Sequence, residues 1–414
     1  MADMAVTVTP PAPVSPLASG ADQSGVRLYN ERLLLSLVRR FGQLSKIEVA
    51  RMTGLSVQST SAIMNRLQAD GLLRREAPVR GRVGQPTVPV SLEPEGAFSL
   101  GLKIGRRSCD LVLVDFSGRV RRRAHETFAY PTPELVMGFL HAALPKTLEF
   151  LTDAQRRRVV GLGVASPFQL WDWPAEIGAP PGAMDDWRGF DIIQEVGRVV
   201  SFPVTLCNDA TAACAAEFFF GEAWRERDFL YIFLGSFLGG GLVLDSSLYT
   251  GRTGNAAALG SMPIATPGRA TPTSQLIACA SILQLERRVE NAGLDPSSIW
   301  RTPESWEDFG GQLDAWIDEA SQAIAQAITA AISVIDVAAV VIDGAMPVTV
   351  RQKICHSVAA YLETLDRRGL SDVKVLEGVI GADARAIGGA ALPLIKNFAR
   401  DREVLLKDAP AGAA

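Results

Sequence analysis

Apolar residues near the start of the chain recur at helical spacing. Within residues 28–41 they fall at positions 33, 34, 37, 38 and 41, which predicts an amphipathic helix. Ser45-Lys-Ile-Glu48 then matches a capping box, in which the serine hydroxyl and the glutamate carboxylate bind the first free amides of a helix. We predict this helix over residues 46–52. Gly54 follows it and is free to take the positive φ of a tight turn.

A second helix is predicted after this turn, with Ser56 as its cap and its end near Ala69. Residues 60, 63, 64 and 67 are spaced as one buried stripe, and the opposite face is polar. This arrangement is typical of a helix-turn-helix whose second helix enters the major groove of DNA, where Gln and Asn read adenine and Arg binds phosphate. The residues of this helix that we expect to contact DNA are Ser56, Gln58, Ser61, Ala62, Asn65 and Arg66.

A basic loop lies between two short segments that predict paired strands at 71–75 and 87–92. The loop, residues 78–86, carries Arg80 and Arg82 on either side of a glycine. We interpret the hairpin as the wing of a winged helix-turn-helix, with both arginines following a minor groove. A helical hairpin that contacts other proteins is the alternative. We favour DNA binding because the helix pattern, the wing and the local charge agree.

Charge separates this N-terminal segment from the remainder of the chain. The 414 residues carry a net charge of −4, yet residues 26–90 hold 11 basic and four acidic residues, a net charge of +7. Residues 1–25 carry −2, so residues 91–414 carry −9. A basic module of this size suits contact with the phosphate backbone of DNA, although a solvated basic surface has the same composition.

The composition is that of a globular protein, with 48% hydrophobic and 21% charged residues. The most apolar stretch, residues 323–342, is interrupted by polar residues and predicts a buried helix followed by a strand, not a membrane span. The first 25 residues lack Lys and Arg and predict a disordered tail, not a signal peptide. The five scattered cysteines indicate reduced thiols. We therefore expect a cytoplasmic protein.

Beyond residue 94, short apolar runs alternate with helical segments. Strands are predicted at 98–105, 109–115, 119–128, 159–165, 203–207, 229–234, 242–245, 340–344 and 375–376. Strand hairpins alternating with helices indicate α/β lobes with central sheets. The glycine-rich segment 235–241 is either a backbone cradle for phosphate or a tight hairpin, and we favour the hairpin.

The order of these motifs resembles the ROK family (repressors, open reading frames and sugar kinases) over residues 27 to 400. The most specific matches are Asn208-Asp-Ala-Thr-Ala-Ala-Cys-Ala-Ala-Glu217 and the glycine-rich hairpin. The resemblance implies an α/β fold: an N-terminal winged helix-turn-helix followed by a two-lobed, actin-like (ribonuclease-H-like) body. We expect a tail at 1–25, a DNA-binding domain at 26–93, and a body at 94–414 that binds an effector and oligomerises, its last helix returning to the first lobe.

The resemblance also implies that catalytic positions are changed. Kinases of the family carry an Asp for magnesium and nucleotide where this chain has Lys103, and a lysine cannot ligate magnesium. The family's sugar-binding Glu and His fall at Ala258 and Ser261, and a further sugar-binding acid falls at Ile277. Asp209 matches the catalytic base. With the metal site replaced, we expect no enzymatic activity.

Three residues are our candidates for effector binding: Asn208, Asp209 and Trp187. The alternative for Asn208 is a helix cap, and for Trp187, with Trp171 and Trp173, a lid packed on the body. The family's zinc loop falls at 265–272, which holds neither Cys nor His, so we expect no metal cofactor.

The sequence thus favours a DNA-binding transcriptional regulator, by default a repressor. Its expected partners are a double-stranded DNA operator, a small carbohydrate-related effector and further copies of the chain, as a dimer or tetramer; no membrane partner is expected. The alternative is an ATP-dependent sugar kinase with an added DNA-binding head. A third hypothesis is a regulator whose body binds no ligand and only dimerises.

Overall fold

The computed structural model describes residues 23–79, 87–172, 174, 178–266, 272–301 and 305–400. These residues divide into two compact units. The first holds the described residues up to 69, then 75–91 and 398–400, and the second holds 70–74 and 92–397. The boundary therefore crosses the predicted wing. Of the expected tail, residues 1–22 lie outside the described residues, and the last three begin a helix.

The described part of the first unit is built on three helices: α1 (Gln23–Phe41), α2 (Lys46–Thr53) and α3 (Val57–Ala69). The capping box of α2 is confirmed, because the Ser45 amide donates to Glu48 Oε2 at 2.7 Å and the Glu48 amide donates to Ser45 Oγ at 3.4 Å. Gly54 ends α2 with φ of 72°, as its position predicts. The cap sets where α2 begins, and the turn at Gly54 sets the direction in which the chain continues into α3.

The core of the first unit lies between α1 and α3. Leu34 and Val38 of α1 are buried, as are Met64 and Leu67 of α3. Ile63, placed in the same stripe by the sequence, is only half-buried. Two short strands pair beyond α3, and antiparallel bridges join residues 44 to 90 and 79 to 87. These strands are β1 (Leu73–Arg75) and β2 (Val90–Leu92).

The second unit contains two five-stranded sheets. The order of the first sheet is β5-β4-β3-β6-β7. β3 pairs antiparallel with β4 and parallel with β6, so an antiparallel hairpin flanks a parallel half-sheet. The strands are β3 (Phe98–Ile104), β4 (Ser108–Asp115), β5 (Val120–Thr127), β6 (Val159–Ser166) and β7 (Val204–Asn208). The helices of this part are α4 (Pro133–Leu148), α5 (Asp153–Arg156) and α6 (Ile192–Val199).

The second sheet repeats this plan, with the order β10-β9-β8-β13-β14. β8 pairs antiparallel with β9 and parallel with β13. The remaining strands are β8 (Phe229–Leu234), β9 (Leu238–Leu244), β10 (Ser247–Leu248), a separate pair of β11 (Pro263–Ala265) and β12 (Thr273–Gln275), and then β13 (Ala339–Gly344) and β14 (Lys374–Glu377). The remaining helices are α7 (Asp209–Phe220), α8 (Ile277–Ala280), α9 (Ile282–Asn291), α10 (Ser298–Arg301), α11 (Gly310–Ile332), α12 (Val348–Thr364) and α13 (Ala384–Phe398).

The second unit is a two-lobed, actin-like α/β body, and each lobe has its own core. One core lies around β3 and β4, and the other around β8, β13 and α11. The segment with the longest apolar pattern is a buried helix, α11, followed by strand β13, as the sequence predicts. No helix in the described ranges is long and apolar enough to cross a membrane.

Glycines allow the last helix to lie directly on the first sheet. A Cβ at Gly101 of β3 would lie 2.3 Å from the carbonyl oxygen of Ala386, and one at Gly163 of β6 2.0 Å from that of Gly389. A Cβ at Gly388 would lie 1.8 Å from the carbonyl oxygen of Ala212 in α7. Side chains at these positions would separate α13 from β3, β6 and α7.

The glycine-rich segment 235–241 lies in a tight hairpin, as favoured from the sequence, but its turn is shorter than predicted. Only residues 235–237 turn between the strands, and β9 begins at Leu238 instead of residue 242. A Cβ at Gly239 would lie 2.6 Å from Ala210 Cβ, and one at Gly241 2.3 Å from Cys214 Cβ. Two of the four glycines, Gly239 and Gly241, therefore let α7 pack closely on the strand, and only Gly235 lies in the turn.

Candidate DNA-binding surface and effector cavity

The outward face of α3 carries four of the residues expected to contact DNA. Gln58, Ala62 and Asn65 are exposed, and Ser61 is half-buried beside them. The buried Met64 and its neighbours fix the rotation of the helix, so these side chains share one face.

Two further predicted contacts on α3 already have partners within the first unit. Ser56 Oγ accepts the Ser59 amide at 3.0 Å and so caps the helix. Arg66, about half exposed, pairs with Glu31 of α1 at 2.9 Å. A phosphate contact from Arg66 would replace this ion pair. The predicted wing residues Arg80 and Arg82 lie outside the described residues.

A groove of about 340 Å³ lies beside the exposed face of α3. Lys46 at the start of α2, Gln68 of α3 and Thr87 before β2 line it together with Ser61 and Asn65. The sequence analysis missed the first three residues as candidate contacts. Lys46 could have been found, because the first residue of the positioning helix stands next to the recognition helix in a helix-turn-helix.

One cavity of the body lies at the carboxyl ends of parallel strands, where open α/β sheets bind ligands. It encloses about 170 Å³, and Asn208 and Asp209 line it at the junction of β7 and α7. Asn208 Oδ1 accepts the Ala210 amide at 3.0 Å, so the expected cap is present in a residue that also faces the cavity. The Asp209 carboxylate lies 3.3 Å from Arg385 Nη1 of α13.

The rest of the wall comes from both lobes. Ala258 and Ser261, where the resemblance places the replaced sugar-binding residues, line the cavity, and so does Ile277. These side chains are small or apolar and carry no charge. Uncharged polar groups in the wall are Gln169, Asn208, Ser236, Asn255 and Ser261.

Two arginines that the sequence analysis missed also line the cavity. Arg106, from the turn between β3 and β4, lies over the Phe237 ring with its guanidinium carbon 4.9 Å from the ring centroid. Arg385 lies over the Phe233 ring at 5.1 Å. Such stacking on aromatic faces holds the guanidinium plane in place. Both rings belong to the β8–β9 hairpin or its turn.

Two residues that line this cavity have an unusual backbone conformation. Four non-glycine residues of the described chain have positive φ. Two of them, Asp245 and Ser246, form the tight turn between β9 and β10, while Gln169 and Ala257, both at 55°, line the cavity. Residues in such sparsely populated conformations tend to cluster at ligand sites, which favours a binding role for this cavity.

Lys103 forms a closed ion pair with Asp110, and neither side chain lines the cavity. Its Nζ donates to Asp110 Oδ2 at 2.7 Å and to Ser108 Oγ at 3.0 Å. His125 Nδ1 lies 2.8 Å from the other oxygen of Asp110. Burial lowers the pKa of Lys103, with a further contribution from Arg385, and Asp110 opposes the shift only in part.

The pKa of Asp110 lies below its usual value. Burial alone would raise this pKa, but the charge and hydrogen bond of Lys103 and the hydrogen bond with His125 outweigh it. The carboxylate is therefore ionised and paired. Two strand-register partners hold it, since Asp110 lies opposite Lys103 in β3 and opposite His125 in β5.

Trp187, the third predicted effector contact, does not line the cavity that contains Asn208 and Asp209. It is 7% exposed, and its Nε1 donates to the Pro131 carbonyl at 3.0 Å. It lines a neighbouring open depression of about 610 Å³ together with Trp171 and Phe190. An effector contact from Trp187 stays a prediction. Trp173, and residues 267–271 of the stretch where the family's zinc loop falls, lie outside the described residues.

Family comparison assigns both parts of the chain. The model of the ROK family matches residues 99–395, well over half of the chain. The chain belongs to the ROK family. The model of the MarR family matches residues 29–82, a segment that contains α2, α3 and most of α1. The ROK body is thus preceded by a MarR-like winged helix-turn-helix, as the sequence predicts.

Two relatives match this chain over different shares of its length. The protein y4fQ of Sinorhizobium fredii is 25% identical over 89% of this chain and 91% of its own length. The xylose repressor of Bacillus subtilis is 24% identical over 59% of this chain, and the match spans 62% of that repressor, less than two thirds of it.

Solved structures share the fold. A ROK family transcriptional regulator, a homologue of the Escherichia coli MLC protein, matches with a TM-score of 0.64 and 19% identity over 92% of this chain and 99% of that one. A ROK family glucokinase from Streptomyces griseus, solved with glucose and AMPPNP, matches with a TM-score of 0.55 and 22% identity over 72% of this chain and 99% of that one.

Proposed function

We propose that this chain is a transcriptional repressor that binds operator DNA through α3 and the wing and responds to a small carbohydrate-related effector. One observation carries the proposal: α3 has an exposed polar face, and it belongs to a MarR-like unit that precedes the ROK body in the sequence. The relation to the xylose repressor supports the same function.

The DNA-binding part follows from residue chemistry. Gln58 and Asn65 are exposed on one face of α3, and both side chains can form bidentate hydrogen bonds with adenine in the major groove. The net charge of +7 over residues 26–90 supplies the attraction to phosphate that such a contact requires. We expect the chain to act as a dimer or tetramer, so that two helices read two half-sites about 34 Å apart.

The effector part rests on the cavity of the ROK body. Asp209 can accept a hydrogen bond from a ligand hydroxyl. Asn208 uses its oxygen as a helix cap, so a ligand would meet its NH₂ group. An effector changes operator affinity only if it binds the DNA-competent and DNA-incompetent states with different affinity. We therefore expect ligand and operator binding to be linked reciprocally.

The test uses operator fragments selected from a random duplex library by the full-length protein, with affinity measured by fluorescence anisotropy. We expect Q58A and N65A each to weaken binding to the selected site roughly 10-fold and to relax base preference, because one bidentate contact contributes about 1–3 kcal/mol. R80A and R82A should each lower the slope of affinity against salt by about one. Q352A, an exposed glutamine of α12, is the matched control. Wild-type binding by all four variants would contradict this docking.

A second candidate function is that of a sugar kinase, because Asp209 matches the family's catalytic base and lines the cavity. The Lys103–Asp110 ion pair, at the position where the resemblance places a metal-binding Asp, counts against it. ATP turnover with a panel of hexoses decides between the two: turnover that D209N abolishes establishes a kinase, and its absence favours the regulator.

A further inference from the structure

We infer that the ligand of the ROK body cavity carries a carboxylate or phosphoryl group, and that Arg106 and Arg385 bind this anionic group. The inference rests on the proposed role of the cavity as the effector site and narrows the chemical class of the effector. The resemblance implies a carbohydrate-related effector without specifying its charge, and a neutral sugar would make no use of the positive charge of these two side chains.

The charge of the cavity wall is the first observation. Among the described residues that line the cavity, the charged ones are Arg106, Arg385 and Asp209, which gives the wall a net charge of +1. Both guanidinium groups stay charged at any physiological pH. Lys103 and Asp110 compensate each other nearby, so they do not offset the positive wall. A cleft lined by one excess sign of charge attracts ligands of the opposite sign.

The geometry of the two arginines is the second observation. Each guanidinium lies over a phenylalanine ring, Arg106 over Phe237 and Arg385 over Phe233. A stacked guanidinium keeps its N–H groups in its own plane, where they match the two oxygens of a carboxylate or phosphoryl group. Arginine side chains held in this way lose little further entropy when they bind an anion.

The contact between Arg385 and Asp209 is the third observation. Its 3.3 Å separation is longer than the usual 2.7–2.9 Å of a charged hydrogen bond, so the pair is loosely made. Arg385 Nε, moreover, has no hydrogen-bond partner within the described ranges. Arg385 can therefore bind an incoming anion while Asp209 turns to a ligand hydroxyl.

The remaining wall fits the rest of such a ligand. Gln169, Asn208, Asn255 and Ser261 offer uncharged donors and acceptors to such a ligand. The volume of about 170 Å³ is similar to the roughly 150 Å³ of a cavity that holds one benzene ring. A monosaccharide acid or a monosaccharide phosphate has this combination of one small ring or chain, several hydroxyls and one anionic group.

Thermal unfolding of the full-length protein at constant ionic strength tests the inference. The probes are inorganic phosphate, glucose 6-phosphate, gluconate and, as the neutral counterpart, glucose. We expect at least one anionic probe to raise the melting temperature by roughly 2–4 °C at saturation, with no comparable shift for glucose. R106Q and R385Q should lose this shift, and R106K and R385K should keep part of it. R368Q, an exposed arginine outside the cavity, is the matched control and should respond like wild type.

Each outcome decides the inference. A shift with phosphate or glucose 6-phosphate alone identifies a phosphoryl group, and a shift with gluconate alone identifies a carboxylate. The inference is overturned if no anionic probe shifts the melting temperature, if glucose shifts it equally, or if R106Q and R385Q respond like R368Q. Operator binding without ligand, measured on the same preparations, separates this result from the proposed function, because loss of the anion site leaves DNA binding intact.

Discussion

Two cation–carboxylate pairs in the ROK body differ in what surrounds them. Lys103 and Asp110 are 2.7 Å apart, and each side chain is about 10% exposed. Arg385 and Asp209 are 3.3 Å apart and line a cavity. The first pair is closed by its own sheet, whereas the second is open to a ligand. The comparison teaches that similar charges can serve the fold in one place and, in our proposal, ligand recognition in the other.

The origin of the two pairs explains this difference. Lys103 and Asp110 are register partners on neighbouring strands, so pairing of β3 with β4 brings them together without any other part of the chain. Asp209 begins α7 and Arg385 lies in α13, 176 residues later. Their contact depends on how α13 packs against the sheet. Such a contact can adjust with small movements that would break a strand pair.

The largest expected effect follows from breaking the closed pair. D110A leaves the Lys103 ammonium buried without its carboxylate, and we expect the free energy of unfolding to fall by about 3–5 kcal/mol. Urea denaturation measures it. The double variant K103M/D110L replaces the pair by apolar side chains and should lie within about 1.5 kcal/mol of wild type. A loss below about 1 kcal/mol in D110A would show that the pair does not stabilise the body.

The contribution of the closed pair to the free energy of unfolding should depend on pH in the acid range. The pKa of Asp110 is lowered in the folded body, so its stabilising contribution is complete above the unfolded value of about 3.9 and is lost as the pH falls through the lower, folded value. We expect the unfolding free energy of wild type to drop more steeply below about pH 4 than that of D110N. Urea titrations between pH 6 and pH 3 provide the measurement, and parallel curves would contradict the shift.

The smallest change in stability is expected at the open pair. D209A should lower the unfolding free energy by less than D110A does, because the pair is longer and faces a cavity, with side chains 15% and 17% exposed. The same variant removes the negative charge from the cavity wall and should bind phosphate several-fold more tightly than wild type. Calorimetric titration measures both proteins. Weaker phosphate binding by D209A would contradict the open-pair account.

Elements with local signals could be predicted from the sequence. The capping box of α2 and the turn at Gly54 involve residues within ten positions of one another, and both are present as expected. Strand β8 also has the predicted bounds, because a continuous apolar run of six residues is buried on both faces. The Asn208 cap is likewise local, since its bond reaches only two residues along the chain.

Features that depend on distant packing could not be predicted in this way. Gly239 and Gly241 of β9 were interpreted as part of a turn, because no local pattern shows that Ala210 and Cys214 of α7 lie 2.3–2.6 Å from where their Cβ atoms would be. Arg385 was missed because its partners, Asp209 and Phe233, are more than 150 residues away in the chain. Gln169 was missed as well, because no residue type near it in the sequence marks its positive φ of 55°.

The central claim, that the chain regulates genes by binding specific DNA, is tested most directly by genome-wide mapping of its binding sites in its own host. The account predicts a few sharp sites that share one sequence motif, lie near transport or catabolic genes, and disappear with the Q58A/N65A double variant. Absence of enriched sites in cells that contain the protein, or sites unchanged in the double variant, would contradict it.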